Sequence, residues 1–149
     1  MRASREAIYT AFYNQISQAV GFNTISRTPI PEAKLATARM PVLEVLDELE
    51  TPSFKGLGIP LYWTLQITAQ VYVDTGDTSI PGYAVINAML DAIDVALRPD
   101  PATGRLALKD ANGNEVAVDC RFSGSGAKDP GYQTGIGVAG IRIDIITTA

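Results

Sequence analysis

The side chains able to do chemistry fall in a few places. Glu44, Asp47, Glu48 and Glu50 crowd one short stretch. Carboxylates alone suit Ca²⁺ or Mg²⁺, and only where they converge on one point. Their spacing matches no EF-hand loop and no glycine sits among them. A solvated acidic rim is the better reading, and a surface that faces DNA without gripping it is a third. Asp91 and Asp94 could form a carboxylate dyad, but they sit on the polar stripe of an expected surface helix. Cys120 is the lone cysteine, and with no histidine in the chain nothing of the Cys-His kind can activate it. The absence of histidine also removes Ser-His-Asp triads and His-based metal sites. Gly135 to Gly140 has the G-x-G-x-x-G spacing, but a dinucleotide fingerprint must follow a strand and open a helix. Here alternating isoleucines follow, so the glycines read as a bend or a close backbone approach within a strand. Residues 123–134, SGSGAKDPGYQT, carry Lys128 and Tyr132. They read as a flexible connection that orders against a neighbour, in preference to a phosphate cradle. No catalytic residue, metal site or cofactor is expected, and the chain reads as not an enzyme.

The elements that must position these residues are organised around Leu61 to Asp74, LYWTLQITAQVYVD. Leu61, Trp63, Leu65, Ile67, Ala69, Val71 and Val73 alternate with Thr64, Gln66, Thr68 and Gln70. Strict alternation predicts one long strand with a core face and a wet or half-covered face. A one-residue slip would turn the whole apolar set outward, so its register should be firm. Truncating Trp63 to Ala should cost roughly 3–5 kcal/mol if it is buried on the core face.

Before this strand, residues 4–20 read as an amphipathic helix, with Ser4 as N-cap and Gly21 as stop. Ile8, Phe12, Ile16 and Ala19 form its apolar stripe. Phe22 to Thr28 is a short strand, ended by Pro29 and Pro31, with one helical turn or a loop following to Ala38. A further strand covers Pro41 to Leu49, with a bulge or an early end where alternation falters. Residues 51–60, TPSFKGLGIP, form a loop whose Phe54, Leu57 and Ile59 are either tucked beneath it or offered to a partner.

After the long strand, a helix begins at Ser79 or Ile80 with Pro81 in its first turn, and Pro99 ends it. Residues 105–122 read as a hairpin turning at Asn112-Gly113, with Cys120 on the apolar face of its second arm. Residues 135–148 form the last strand. Strand runs with two helices to cover them predict an α+β fold (α/β sandwich-like). Its sheet is mixed and largely antiparallel, with both helices on the Trp63, Leu65 and Ile67 face. At 149 residues one domain, 1–149, is expected. A formal net charge of −4 disfavours nonspecific binding to duplex DNA. No run approaches the ~18 apolar residues of a membrane span, the N-terminus lacks a signal-peptide core, and a lone cysteine forms no intrachain disulfide.

Three stretches together carry a family resemblance: the helix REAIYTAFYNQIS, the strand and helix YWTLQITAQVYVDTG and INAMLDAIDVALRPDPATG, and the closing strand GVAGIRIDIITT. In this order they resemble the tail terminator (tail completion) proteins of long-tailed bacteriophages and prophages, the minor-tail-protein-U-like group. The resemblance covers nearly the whole chain and rests on element order and hydrophobic pattern. It implies a structural virion protein that caps the tail tube as a hexameric ring, ends tube polymerisation and presents the surface for head joining. Its implied partners are further copies of itself, the tail tube protein and the head-tail connector or neck proteins. Genomic DNA passes through unbound, no membrane is involved, and assembly takes place in the host cytoplasm. Phe54, Lys55, Leu57, Ile59, Lys128 and Tyr132 are the expected subunit or tube contacts, and Glu44, Asp47 and Glu48 the expected lumen-facing acidic residues. Another head-tail connector or a tube protein of similar architecture is the alternative.

Overall fold

Ser4 caps the first helix as its sequence predicts, its Oγ accepting the Ala7 N–H at 3.2 Å, and α1 runs Arg5–Ile16. The computed structural model describes residues 3–35, 39–54, 56–58 and 60–148. α1 stops short of Gly21. Ser17 Oγ donates to the Tyr13 carbonyl at 2.6 Å, and the Gln18 and Ala19 N–H groups bond back three residues, so the last turn tightens. Gly21, at φ 96°, then redirects the chain into β1 (Thr24–Ser26). A single turn, α2 (Glu32–Leu35), follows. The rest of the expected turn, residues 36–38, lies outside the described residues.

β2 spans Val42–Ser53, four residues past the expected Leu49. The faltering alternation is the bulge, a register shift between Asp47 and Leu49 against the next strand. Pairing resumes beyond it, so the connecting loop is shorter than the expected 51–60. β3 is Tyr62–Asp74, and its 13 residues extend about 43 Å at roughly 3.3 Å each. Leu65, Ile67, Ala69, Val71 and Val73 are fully buried, as the alternation requires. α3 (Gly82–Ala96) is entered through Pro81 and buries Ile86 and Ile93.

β4 (Leu108–Lys109) and β5 (Glu115–Ala117) form the expected hairpin as a small separate sheet. Asp110 Oδ1 accepts the N–H groups of Asn112 and Asn114, both at 2.9 Å, and Gly113 takes φ 81°. The second arm is shorter than predicted, because the chain crosses at Val118 into β6 (Asp119–Asp129) of the main sheet. That strand corrects the reading of residues 123–134 as a flexible loop. Backbone pairing needs no side chain, and β6 holds SGSGA in the sheet through two register shifts. Only the stretch from Pro130 onward is a turn. β7 (Ile136–Thr148) closes the fold and pairs with β3 without interruption from Tyr62↔Thr148 to Asp74↔Ile136.

The main sheet has the order β1-β2-β3-β7-β6. Every neighbouring pair is antiparallel except β1–β2. The fold is therefore α+β with a mixed, largely antiparallel sheet and two helices packed on one face. Phe12, Ile8 and Ile16 of α1 and Ile86 and Ile93 of α3 meet Leu65, Ile67, Ile143 and Ile145 of the sheet in one core. Trp63 only partly joins it: it packs half-buried at the rim, with the Arg5 guanidinium 5.9 Å from its ring centroid. The large cost expected of its truncation assumed full burial, so it now belongs to Phe12, which is completely enclosed.

Candidate functional site

The sheet face opposite the helices carries Thr64, Gln66, Thr68 and Gln70 in a row, all half-buried. Antiparallel register puts Arg142 and Asp144 of β7 beside Thr68 and Gln66. Glu48 reaches the same face from β2: its Oε2 accepts the Thr68 hydroxyl at 2.5 Å and its Oε1 lies 3.6 Å from Arg142 Nη2. Glu48 and Arg142 are thus opposed side by side, with the Asp144 carboxylate a third charge beside them. Between β3, β7 and the thin Gly124–Ala127 part of β6 the face sinks into an open groove of about 810 Å³. Asp144 Oδ1 is buried there and has no hydrogen-bond partner among the described residues.

The acidic stretch does not act as one surface. Glu44 is 3% exposed and accepts the Ile30 N–H at 2.8 Å, so it braces the proline-rich connection and is not part of a solvated rim. Asp47 lies on the helix face, 3.8 Å from Arg27 Nη2, and Arg27 also bonds Glu6 of α1 at 2.7 Å. Glu50 receives both Arg5 Nε, at 2.7 Å, and the Tyr9 hydroxyl, at 3.4 Å. Burial first, then the Glu50 and Asp47 charges, push the Tyr9 phenol up to about 12. Alternation and the bulge send these carboxylates to different faces, and only Glu48 of Glu44, Asp47 and Glu48 faces the open groove. The basic partners Arg5, Arg27 and Arg142 lie far away in sequence, where no spacing rule could pair them.

The expected contact residues also separate. Phe54 is 55% exposed and Leu57 fully exposed at the β2–β3 tip, so neither is tucked beneath its loop. Lys55 and Ile59 lie outside the described residues. Leu49, Leu61 and Tyr62 extend the exposed apolar surface at this end. Tyr132, 68% exposed, sits at the other end of the sheet, in the β6–β7 turn. That turn is built by Gly131 and Gly135 at positive φ and is held by the Thr75 hydroxyl donating to the Pro130 carbonyl at 2.6 Å. Lys128 is no part of that end surface: its Nζ donates to Asn87 Oδ1 at 2.7 Å and ties β6 to α3.

Cys120 is 1% exposed, and burial, reinforced by the Asp119 and Asp144 charges, pushes its thiol far up. Asp119 is buried, which opposes ionisation. The Arg121 guanidinium and the Leu106 and Cys120 N–H groups outweigh that and hold its carboxyl below the usual range. Asp91 and Asp94 are exposed on α3. No cluster of metal-ligating side chains occurs among the described residues, and no helix among them is long and apolar enough to cross a membrane.

No family model matches the chain, and no curated protein matches it. Among solved structures it is similar to a chain in the virion of a native gene transfer agent particle, with a TM-score of 0.53 and 12% identity over 99% of this chain and 96% of that one. At that identity the likeness establishes a shared fold. A second solved structure aligns at a TM-score of 0.46 and 16% identity, covering 95% of each chain.

Proposed function

We propose that this chain is a structural virion protein of the tail-terminator kind, acting as a single unit over residues 1–149. It assembles as a hexameric ring on the finished tail tube, ends tube polymerisation and offers the surface for head joining, in the neck region of the virion. The observation that carries this reading is the fold shared end to end with a chain of a gene transfer agent virion, in a chain whose element order resembles the tail terminators.

The geometry suits the role. A sheet about 43 Å long at roughly 3.3 Å per residue separates an apolar tip, Phe54 and Leu57, from the Tyr132 turn. One end can therefore address the tube and the other the neck proteins. The open face, with its uncharged row and its opposed Glu48 and Arg142, suits a lumen through which DNA slides without being held. Of the acidic residues expected to line such a lumen, Glu48 keeps that assignment.

The test is light scattering of the purified protein, alone and with short tail tubes. A six-subunit ring, or a monomer that binds tube ends and halts growth, supports the proposal. Open-ended polymers would reassign the chain as a tube protein. A monomer indifferent to tubes would overturn a terminator role.

A further inference from the structure

Asn112-Gly113 is the only place in the sequence where an asparagine or an aspartate precedes glycine. The pair makes the β4–β5 turn, and it also has a reactivity of its own. A backbone nitrogen that loses its proton can attack the side-chain amide carbon of the asparagine before it and close a succinimide ring. A side chain on the attacking residue crowds that approach, and glycine has none. The surroundings do not crowd it either. Asn112 and Gly113 are both exposed, and nothing lies within 4 Å of where a Gly113 Cβ would stand.

What restrains the pair is the turn itself. The Gly113 N–H, whose nitrogen is the nucleophile, donates to the Asp110 carbonyl at 3.0 Å. The Asp110 N–H donates to the Asn114 carbonyl at 2.9 Å. The Asp110 carboxylate adds a second hold, its Oδ1 accepting the Asn112 and Asn114 N–H groups, both at 2.9 Å. Attack needs the Gly113 nitrogen released from its acceptor, so the turn must open locally first. We propose that Asn112 is a modification site that deamidates through a succinimide, and that Asp110 is the positioning residue that slows the reaction by holding the turn closed.

In the first step the Gly113 nitrogen forms a bond to Asn112 Cγ and the Cγ–Nδ2 bond breaks. Ammonia leaves, carrying the proton that the Gly113 nitrogen gave up. Water then opens the ring at one of its two carbonyls, which leaves aspartate or isoaspartate in place of the asparagine. Nothing is oxidised or reduced. Isoaspartate routes the backbone through the former side chain and lengthens it by a methylene, so the bonds of the closed turn cannot all re-form. Either product adds a negative charge beside Asp110, at the tip of a hairpin whose Leu108 and Ala117 are buried in the core. The reaction needs only this chain and water, so it stands apart from the assembly proposed above.

The full chain is incubated at mildly alkaline pH, folded and in urea, and each asparagine is followed by tandem mass spectrometry. In urea Asn112 should convert well ahead of Asn14, Asn23, Asn87 and Asn114, all of which precede residues with side chains. In the folded protein its conversion should be slower by roughly tenfold or more, because only the opened turn reacts. Asp110→Ala should speed the folded reaction by roughly tenfold, as the loss of two hydrogen bonds from the closed turn implies. Asp110→Asn keeps a side-chain acceptor and should stay near the wild-type rate, and neither variant should change the rate in urea. Equal rates in the folded and unfolded chain, or Asp110→Ala as slow as wild type, would overturn the restraining role of the turn. An Asn112 that converts no faster in urea than the other asparagines would overturn the site itself.

Discussion

Two glycines in β6 make a sensitive test of the structure, because they lie two residues apart and should respond to the same substitution in opposite directions. A Cβ on Gly126 would sit 2.9 Å from the Gly140 carbonyl oxygen and 3.1 Å from Gly140 Cα. Both are backbone atoms of β7, which is held on its other side by an unbroken ladder to β3. β7 cannot retreat, so β6 must lift. Overpacking of this kind costs about 1–3 kcal/mol, and the reduced freedom of the unfolded chain on Gly→Ala returns about 0.4–1 kcal/mol. Gly126→Ala should therefore destabilise by up to about 2.5 kcal/mol, centred on about 1.3 kcal/mol, which lowers Tm by up to about 10 °C for a chain of this size. At Gly124 the nearest atom to an added Cβ is Arg142 Cβ, at 4.0 Å, an ordinary contact. Gly124→Ala should be neutral or stabilising by up to about 1 kcal/mol. Urea denaturation of both variants, with unchanged m-values, measures the pair. Equal shifts for the two variants, or Gly126→Ala more stable than wild type, would refute the placement of SGSGA as a paired strand. If the stretch were the flexible loop its composition suggests, both substitutions would be harmless.

Further outcomes follow from individual side chains. Glu44→Ala removes the acceptor of the partly buried Ile30 N–H and should cost about 1–3 kcal/mol, whereas a solvated rim carboxylate would show almost no change in the same denaturation experiment. Cys120 should resist a thiol reagent at pH 8 in the native protein and react fully in denaturant, since burial both hides its thiol and disfavours the thiolate; fast labelling of native protein would contradict its place in the core. Asp119 has a folded carboxyl pKa below its ordinary value, so its contribution to stability is present above about pH 4 and is lost as pH falls through the lower folded value. The stability difference between wild type and Asp119→Asn should accordingly narrow on acidification in this range; a difference that holds constant with pH would show that Asp119 does not act through its charge.

The amino-acid sequence by itself determined the long β3 strand, the two helices, their common face and the α+β class. These follow from local periodicity, since alternation and the helical stripe each report which side of an element is dry. The cap at Ser4 and the turn at Asn112-Gly113 were legible for the same reason: the chemistry that makes them lies within a few residues. Tertiary structure decided what depends on neighbours distant in the chain. Gly124, Gly126 and their serine neighbours look like a loop because small residues lack a preference of their own, and only the ladder offered by β7 holds them extended. Glu44, Asp47, Glu48 and Glu50 look like one cluster along the chain. A strand with a bulge sends them to different faces, where Ile30, Arg27, Arg142 and Arg5 select a separate role for each. Trp63 shares the alternation of the core-facing residues of β3, but its place near the end of the strand leaves it at the rim.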